Sequence, residues 1–380
     1  GGEQLLQKYN CIGCHMVELP EITFGADLDS LPFFTQLDPS TYADAFEHLL
    51  KVKPPQDADT GRKLPTGETI LRFKGLKLTD PFTDEDPEDQ FYTFNSWTNL
   101  KIGDKLITME NPKLEVYVQN LVSIKPARGG AFAEWMVAAS QTGETPDLAL
   151  RDKTWQAAPP PLIQEGIKVQ TPWLYRFLRE PYRIRHTTRL RMPRFNMSPD
   201  EARTLANYFA AVDGAPYPYQ EVPERDPAYL AAKERSLSSL IPAGSSYLNE
   251  SWQLLNTSGT KGLCVKCHSV GGRQFKSTGA KGEVRGPDLD RVAERLRPDW
   301  TLLWLTNPKW IAPYTGMARI FNPKQKLLEN RFEGHGRLQT IGARDALMNY
   351  HRLSEQIGKT PDPPKVKADA KTQPDNNSGD

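Results

Sequence analysis

Four cysteines occur in 380 residues, and all four fall within two copies of one pattern, Cys11-Ile12-Gly13-Cys14-His15 and Cys264-Val265-Lys266-Cys267-His268. This usage leaves none for a disulfide or a separate metal site. A zinc ribbon needs its pairs a few tens of residues apart at most, whereas these stand 253 positions apart (264−11). A thioredoxin-type pair would follow a strand in a βαβ pattern, and neither copy does. Two thiols at i and i+3 lie on one side of a helical turn, with an imidazole directly after the second. That grouping suits covalent attachment to the vinyl groups of a heme, with the histidine turned onto the iron through Nε2. The expected cofactor is heme c, two per chain and covalently attached. Cys11, Cys14, Cys264 and Cys267 carry the thioethers, and His15 and His268 are the iron ligands.

The residues leading into each motif agree. Residues 2–10 read as a short amphipathic helix running into Cys11, and residues 247–255 precede the second motif in the same way. Both stretches resemble the N-terminal helix of class I-type cytochromes c. The resemblance implies a sixth ligand downstream, usually Met, in a loop before a C-terminal helix.

An internal repeat selects two of the seven methionines. Pro159-Pro160-Pro161-Leu162, Trp173 to Pro181 and Arg191-Met192-Pro193 follow the first motif. Gly286-Pro287-Asp288-Leu289, Trp300 to Pro308 and Gly316-Met317-Ala318 follow the second. A repeat of this length means two copies of one domain. Each Trp-to-Pro stretch has helical spacing and stops at a proline, which cannot continue a helix. Met192 and Met317 are thereby the expected sixth ligands, with Met197 and His186 as rivals to Met192. Met16, Met109, Met136 and Met348 read as core filler. Ser198-Pro199-Asp200-Glu201 opens the first C-terminal helix with an N-cap serine and an acidic first turn; residues 342–350 form its counterpart. The whole pattern is similar to cytochrome c subunits of bacterial respiratory complexes, over about half the chain.

The first copy is split by a long insertion at about 20–155. A helix-like piece starts at Pro39, and β signals run from about 60 to 140: Thr69–Phe73, Phe91–Trp97, Lys105–Met109 and Leu114–Val118. Arg179, Arg183, Arg185, Arg189, Arg191 and Arg194 crowd the Met192 loop. Guanidinium groups suit carboxylates, so Arg191, with Trp173, Trp300 and Tyr314, is a candidate contact to the heme propionates; the remaining arginines suit an acidic partner. Residues 216–223 read as an extended linker and 226–235 as a helix; the chain beyond about 359 lacks hydrophobic anchors and reads as a disordered tail.

The expected fold is mainly α: two class I-type cytochrome c domains in tandem, at 1–220 and 221–358, the first interrupted by a β-rich insertion. A net charge of +1 favours no nucleic-acid partner, and no apolar run reaches the roughly 18–20 residues of a membrane span. Heme attachment of this type takes place outside the cytoplasm, so the expected location is periplasmic or extracytoplasmic. The expected function is single-electron transfer between redox proteins, a membrane respiratory complex among them, with no catalysis. A diheme peroxidase-like enzyme, or a heme-bearing module whose insertion binds a ligand or docks a partner, is the alternative.

Overall fold

The computed structural model describes residues 1–27, 34–36, 65, 67–81, 86–97, 100–102, 105–109, 113–143, 147–256, 264–279, 283–321 and 328–357. The helix-like piece at 39–46 and the tail beyond 359 lie outside these residues.

The mainly α expectation is corrected: the fold is mixed. Beside the helices stands a five-stranded antiparallel sheet, in the order β8 (Lys113–Tyr117), β5 (Phe91–Ser96), β4 (Thr69–Thr79), β2 (Glu21–Ala26), β9 (Leu121–Lys125). A two-stranded ladder joins β1 (Met16–Glu18) to β10 (Arg128–Gly129), and β3 (Phe34–Gln36), β7 (Lys105–Met109) and β6 (Leu100–Ile102) form a third sheet. Sheet structure starts directly after His15 rather than near residue 60.

Side chains alternate faces along a strand. Ile22 therefore pairs with Phe73, Phe24 with Leu71 and Phe94 with Leu114, and all six are buried in one core. Phe73 meets Phe24 and Phe94 edge to face, each pair of centroids 5.7 Å apart. The β1–β10 ladder returns the insertion to its point of departure, with Gly130 N donating to Ile12 O at 2.8 Å. The first motif therefore keeps its local geometry despite more than a hundred intervening residues.

In each half, the helix before the motif crosses the helix after the Met loop. Gly2–Lys8 lies on Pro199–Val212, where a Cβ on Gly2 would stand 2.1 Å from Tyr208 Cγ. Tyr247–Asn256 lies on Gly336–Met348, with Gly342 at the contact. The Ser198 cap forms as the sequence indicates. Its hydroxyl accepts from Glu201 N while Glu201 returns a bond to Ser198 N.

The halves meet about a local twofold axis. Residues offset by 127 positions (296−169, 297−170, 300−173) are repeat equivalents. Val169 bridges its own equivalent Leu296 in antiparallel register. Gln170 N donates to Arg295 O at 2.8 Å, and Arg297 N donates to Lys168 O at 3.0 Å. The side chains repeat the exchange: Gln170 Nε2 reaches Leu296 O at 2.9 Å and Arg297 Nε reaches Val169 O at 2.8 Å. One hydrophobic core runs through both halves, from Leu6 to Leu353.

Asp213, at the end of Pro199–Val212, accepts from Gly166 N at 2.7 Å, and burial raises its pKa to about 6. Its folded pKa exceeds its unfolded value, so it favours the folded state most below about pH 4, a contribution lost as pH rises towards 6. Asp213→Asn should flatten the fall in stability across that window by on the order of 1–2 kcal/mol, read from urea midpoints at pH 4 and 6.5. An unchanged pH slope would contradict this.

Candidate functional site

Each motif histidine is held by the same two-bond clasp. His15 Nδ1 meets Pro160 O at 2.7 Å, and His268 Nδ1 meets Pro287 O at 2.5 Å. Two residues past each proline, the backbone ties back beside the histidine. Leu162 N donates to Met16 O at 2.8 Å, and Leu289 N donates to Ser269 O at 3.1 Å. Pro160 and Leu162 are the repeat equivalents of Pro287 and Leu289. A carbonyl only accepts, so Nδ1 carries the proton and Nε2 the lone pair. Burial lowers the pKa of both imidazoles, which keeps them neutral at pH 7. A ring fixed through Nδ1 with Nε2 unprotonated is how a protein orients an imidazole towards a metal. Gly286 completes the second clasp: a Cβ there would stand 2.3 Å from His268 Cε1.

All four thiols are free; Cys14 and Cys267 are exposed and Cys11 is buried. Cys11–Cys14 forms a single helical turn, entered through Asn10 in the left-handed region at φ 48. Burial raises the Cys11 pKa and pushes Cys264 up to about 12. These two thiols stay protonated at neutral pH, the opposite of what a thiolate nucleophile needs.

A charged group lies between the two clasps. Lys168 donates to the buried Glu165 at 2.6 Å. Arg185 donates to the Tyr314 hydroxyl, and Glu165, Arg185 and Lys168 all act on His15. Arg295 acts on both Lys168 and His268. Lys168 and Arg295 are themselves repeat equivalents, and burial lowers both, Arg295 to about 10.

The loops carrying the candidate sixth ligands cross to the opposite half. His186 stands 3.4 Å from Asp288, beside the second clasp, and Arg291 lies over the Tyr182 ring at 4.4 Å. Tyr314 packs among Trp97 and Trp155, and its carbonyl accepts from Gln156 at 3.0 Å.

Of the residues singled out from sequence, Trp173 donates to the Tyr182 hydroxyl at 3.0 Å and stacks on Phe177. Trp300 stacks on Trp304, and Arg191 is exposed. Met192 and Met317 are half-buried against the shared core, and the Met317 sulfur accepts from Trp304 Nε1 at 2.9 Å. Met197 is buried within that core. Of the six arginines near Met192, Arg185 is the one placed in the charged group; Arg179 turns to Tyr175 and Arg183 to Thr188 O. Sequence reasoning missed Glu165, Lys168 and Arg295. The 127-residue offset that pairs the last two was available from the tryptophans alone.

The cofactor expectation is corrected by the ligand geometry. Among the described residues, no group of three or more His, Cys, Asp or Glu side chains gathers where a metal ion could be held. Each motif offers one clasped imidazole and two free thiols, so two heme c groups are not carried by any converging set of those ligands.

No family model, no curated protein and no solved structure matches the chain.

Proposed function

We propose that the chain relays single electrons between redox proteins, with one redox station at each Cys-x-x-Cys-His segment. One observation carries the reading: two imidazoles, each fixed through Nδ1 on the carbonyl of an equivalent proline and each directly after a pair of thiols. His15 and His268 would each offer an oriented Nε2 to the group at its station, with Met192 and Met317 as the proposed second donors. A station closed by protein donors would supply one-electron exchange and leave no position for a substrate. The interlocked halves support a relay, since each Met loop rests on the other half. Among the described residues no helix is long and apolar enough to cross a membrane. The proposed setting is extracytoplasmic, with redox proteins, a membrane respiratory complex among them, as partners.

The test is anaerobic optical titration of the whole chain against one-electron mediators. Reversible one-electron steps at two stations per chain would support the reading, with one remaining in the Cys11→Ala/Cys14→Ala variant. A chain with no reversible one-electron step would sink it.

A further inference from the structure

The stretch from Pro181 to Pro199 holds five arginines and neither Asp nor Glu, in a chain whose net charge is +1. Arg185 turns inward to Tyr314, whereas Arg183, Arg189, Arg191 and Arg194 are exposed. Among the described residues none of these four meets a carboxylate; Arg183 donates to a carbonyl of its own loop, Thr188 O, at 3.3 Å. The loop is pinned along its length. Thr187 Oγ1 donates to Gln156 O at 3.1 Å, Arg189 N donates to Ala157 O at 3.2 Å, and Phe195 packs on Tyr9 with centroids 5.6 Å apart. The second copy supplies a comparison within the same chain. Its matching stretch, from Pro308 to Phe321, carries only Lys309 and Arg319 as charged residues. Lys309 turns back to Pro313 O at 3.3 Å, and Arg319 is half-buried. Both copies close the same clasp on their histidine, so the fold does not require the extra charge of the first. Crowding like charges opposes compaction.

We infer that Arg183, Arg189, Arg191 and Arg194 form a docking surface for a protein partner that presents clustered Asp and Glu side chains. Guanidinium groups match carboxylates through two parallel bonds, and a loop already fixed in shape loses little freedom on binding. Leu190, 49% exposed between Arg189 and Arg191, adds an apolar contact inside a charged rim, as at a protein interface. A lipid surface fits less well. Residues 181–198 contain no helix to lay an apolar face among headgroups, and Leu190 is their one exposed large hydrophobic. Only charge, exposure and loop geometry enter, so the surface stands whatever either motif carries. Rim charges act chiefly on association rate and salt dependence, so the partner is captured fast at low ionic strength and released as salt rises.

Fluorescence anisotropy of labelled poly-L-glutamate, titrated with the whole chain at low and at moderate ionic strength, tests this. The unaltered chain should bind, and Arg189→Gln/Arg191→Gln/Arg194→Gln should weaken binding about tenfold and flatten its dependence on salt. Lys125→Gln/Lys153→Gln/Arg235→Gln removes the same charge from other exposed positions and should change binding less than about twofold. Equal weakening by the two triple variants overturns the inference, as does an unaltered chain that does not bind. Tighter capture by phosphatidylglycerol vesicles than by the polypeptide, lost in the loop variant, overturns it in favour of a membrane surface. Self-association at low salt, lost in the same variant, overturns it in favour of a second copy, whose Asp86, Glu88 and Asp89 are exposed. Should the loop variant fail to fold, phenylglyoxal labelling of the unaltered chain, read by mass spectrometry, gives the answer. Bound poly-L-glutamate should shield Arg189, Arg191 and Arg194 and leave Arg235 reactive; even shielding of all four overturns the inference.

Discussion

Asp345→Ala should destabilise the second half by about 3–5 kcal/mol, the range for breaking a buried ion pair from one side. Asp345 is fully buried within Gly336–Met348. Its carboxylate accepts from Tyr247 Oη at 2.7 Å, Tyr229 Oη at 3.0 Å and Arg344 Nε at 2.5 Å. Arg344 also pairs with the buried Glu224 at 2.8 Å. Burial alone would lower the Arg344 pKa, yet Asp345 and Glu224 hold it above its ordinary value. Removing Asp345 leaves two phenols without their acceptor and a buried guanidinium with one carboxylate in place of two. Tyr247 opens the helix that leads into the second motif, so the loss reaches the site through packing. Urea unfolding followed by tryptophan fluorescence measures it, and a loss under about 1 kcal/mol would show that the network is not a structural element.

Arg297→Met should separate the two halves thermally. Arg297 is buried and spends its donors on acceptors from the first half and from the segment that joins the halves: Val169 O at 2.8 Å, Pro216 O at 2.9 Å, Gln220 Oε1 at 2.7 Å and Thr171 Oγ1 at 3.3 Å. Burial lowers its pKa to about 10, a sign that desolvation is not fully offset by these bonds. Met fills similar space without a charge but leaves two backbone carbonyls unmatched, each costing about 1–3 kcal/mol when buried. The expected calorimetric result is two resolved transitions where the parent shows one. A single transition at an unchanged temperature would mean that the shared core alone holds the halves together.

Much of this was legible in the sequence where local rules act alone. The Ser198 cap, the helix ending before Pro181 and the strand Lys105–Met109 follow from capping, proline chemistry and alternation. Strand β2 was not legible: Glu-Ile-Thr-Phe-Gly-Ala is short and contains a glycine, and it becomes a strand because β4 and β9 pair with it on both edges. The mixed fold class was missed for the same reason, since sheet formation depends on partners distant in sequence. The clasp on each histidine lay half in view. The prolines were recognised as repeat markers, but that their carbonyls receive the imidazoles is a fact of tertiary structure. The charged group was hidden more deeply, because Lys168 and Arg295 look like ordinary surface residues until the local twofold brings them between the two clasps.

The central claim, a chain with two single-electron stations, is tested most directly by coulometric redox titration of the unaltered protein under anaerobic conditions. Two reversible one-electron steps per chain are expected, each lost separately when its own cysteine pair is replaced by alanine. A single two-electron thiol–disulfide couple, or no reversible step at all, would contradict it.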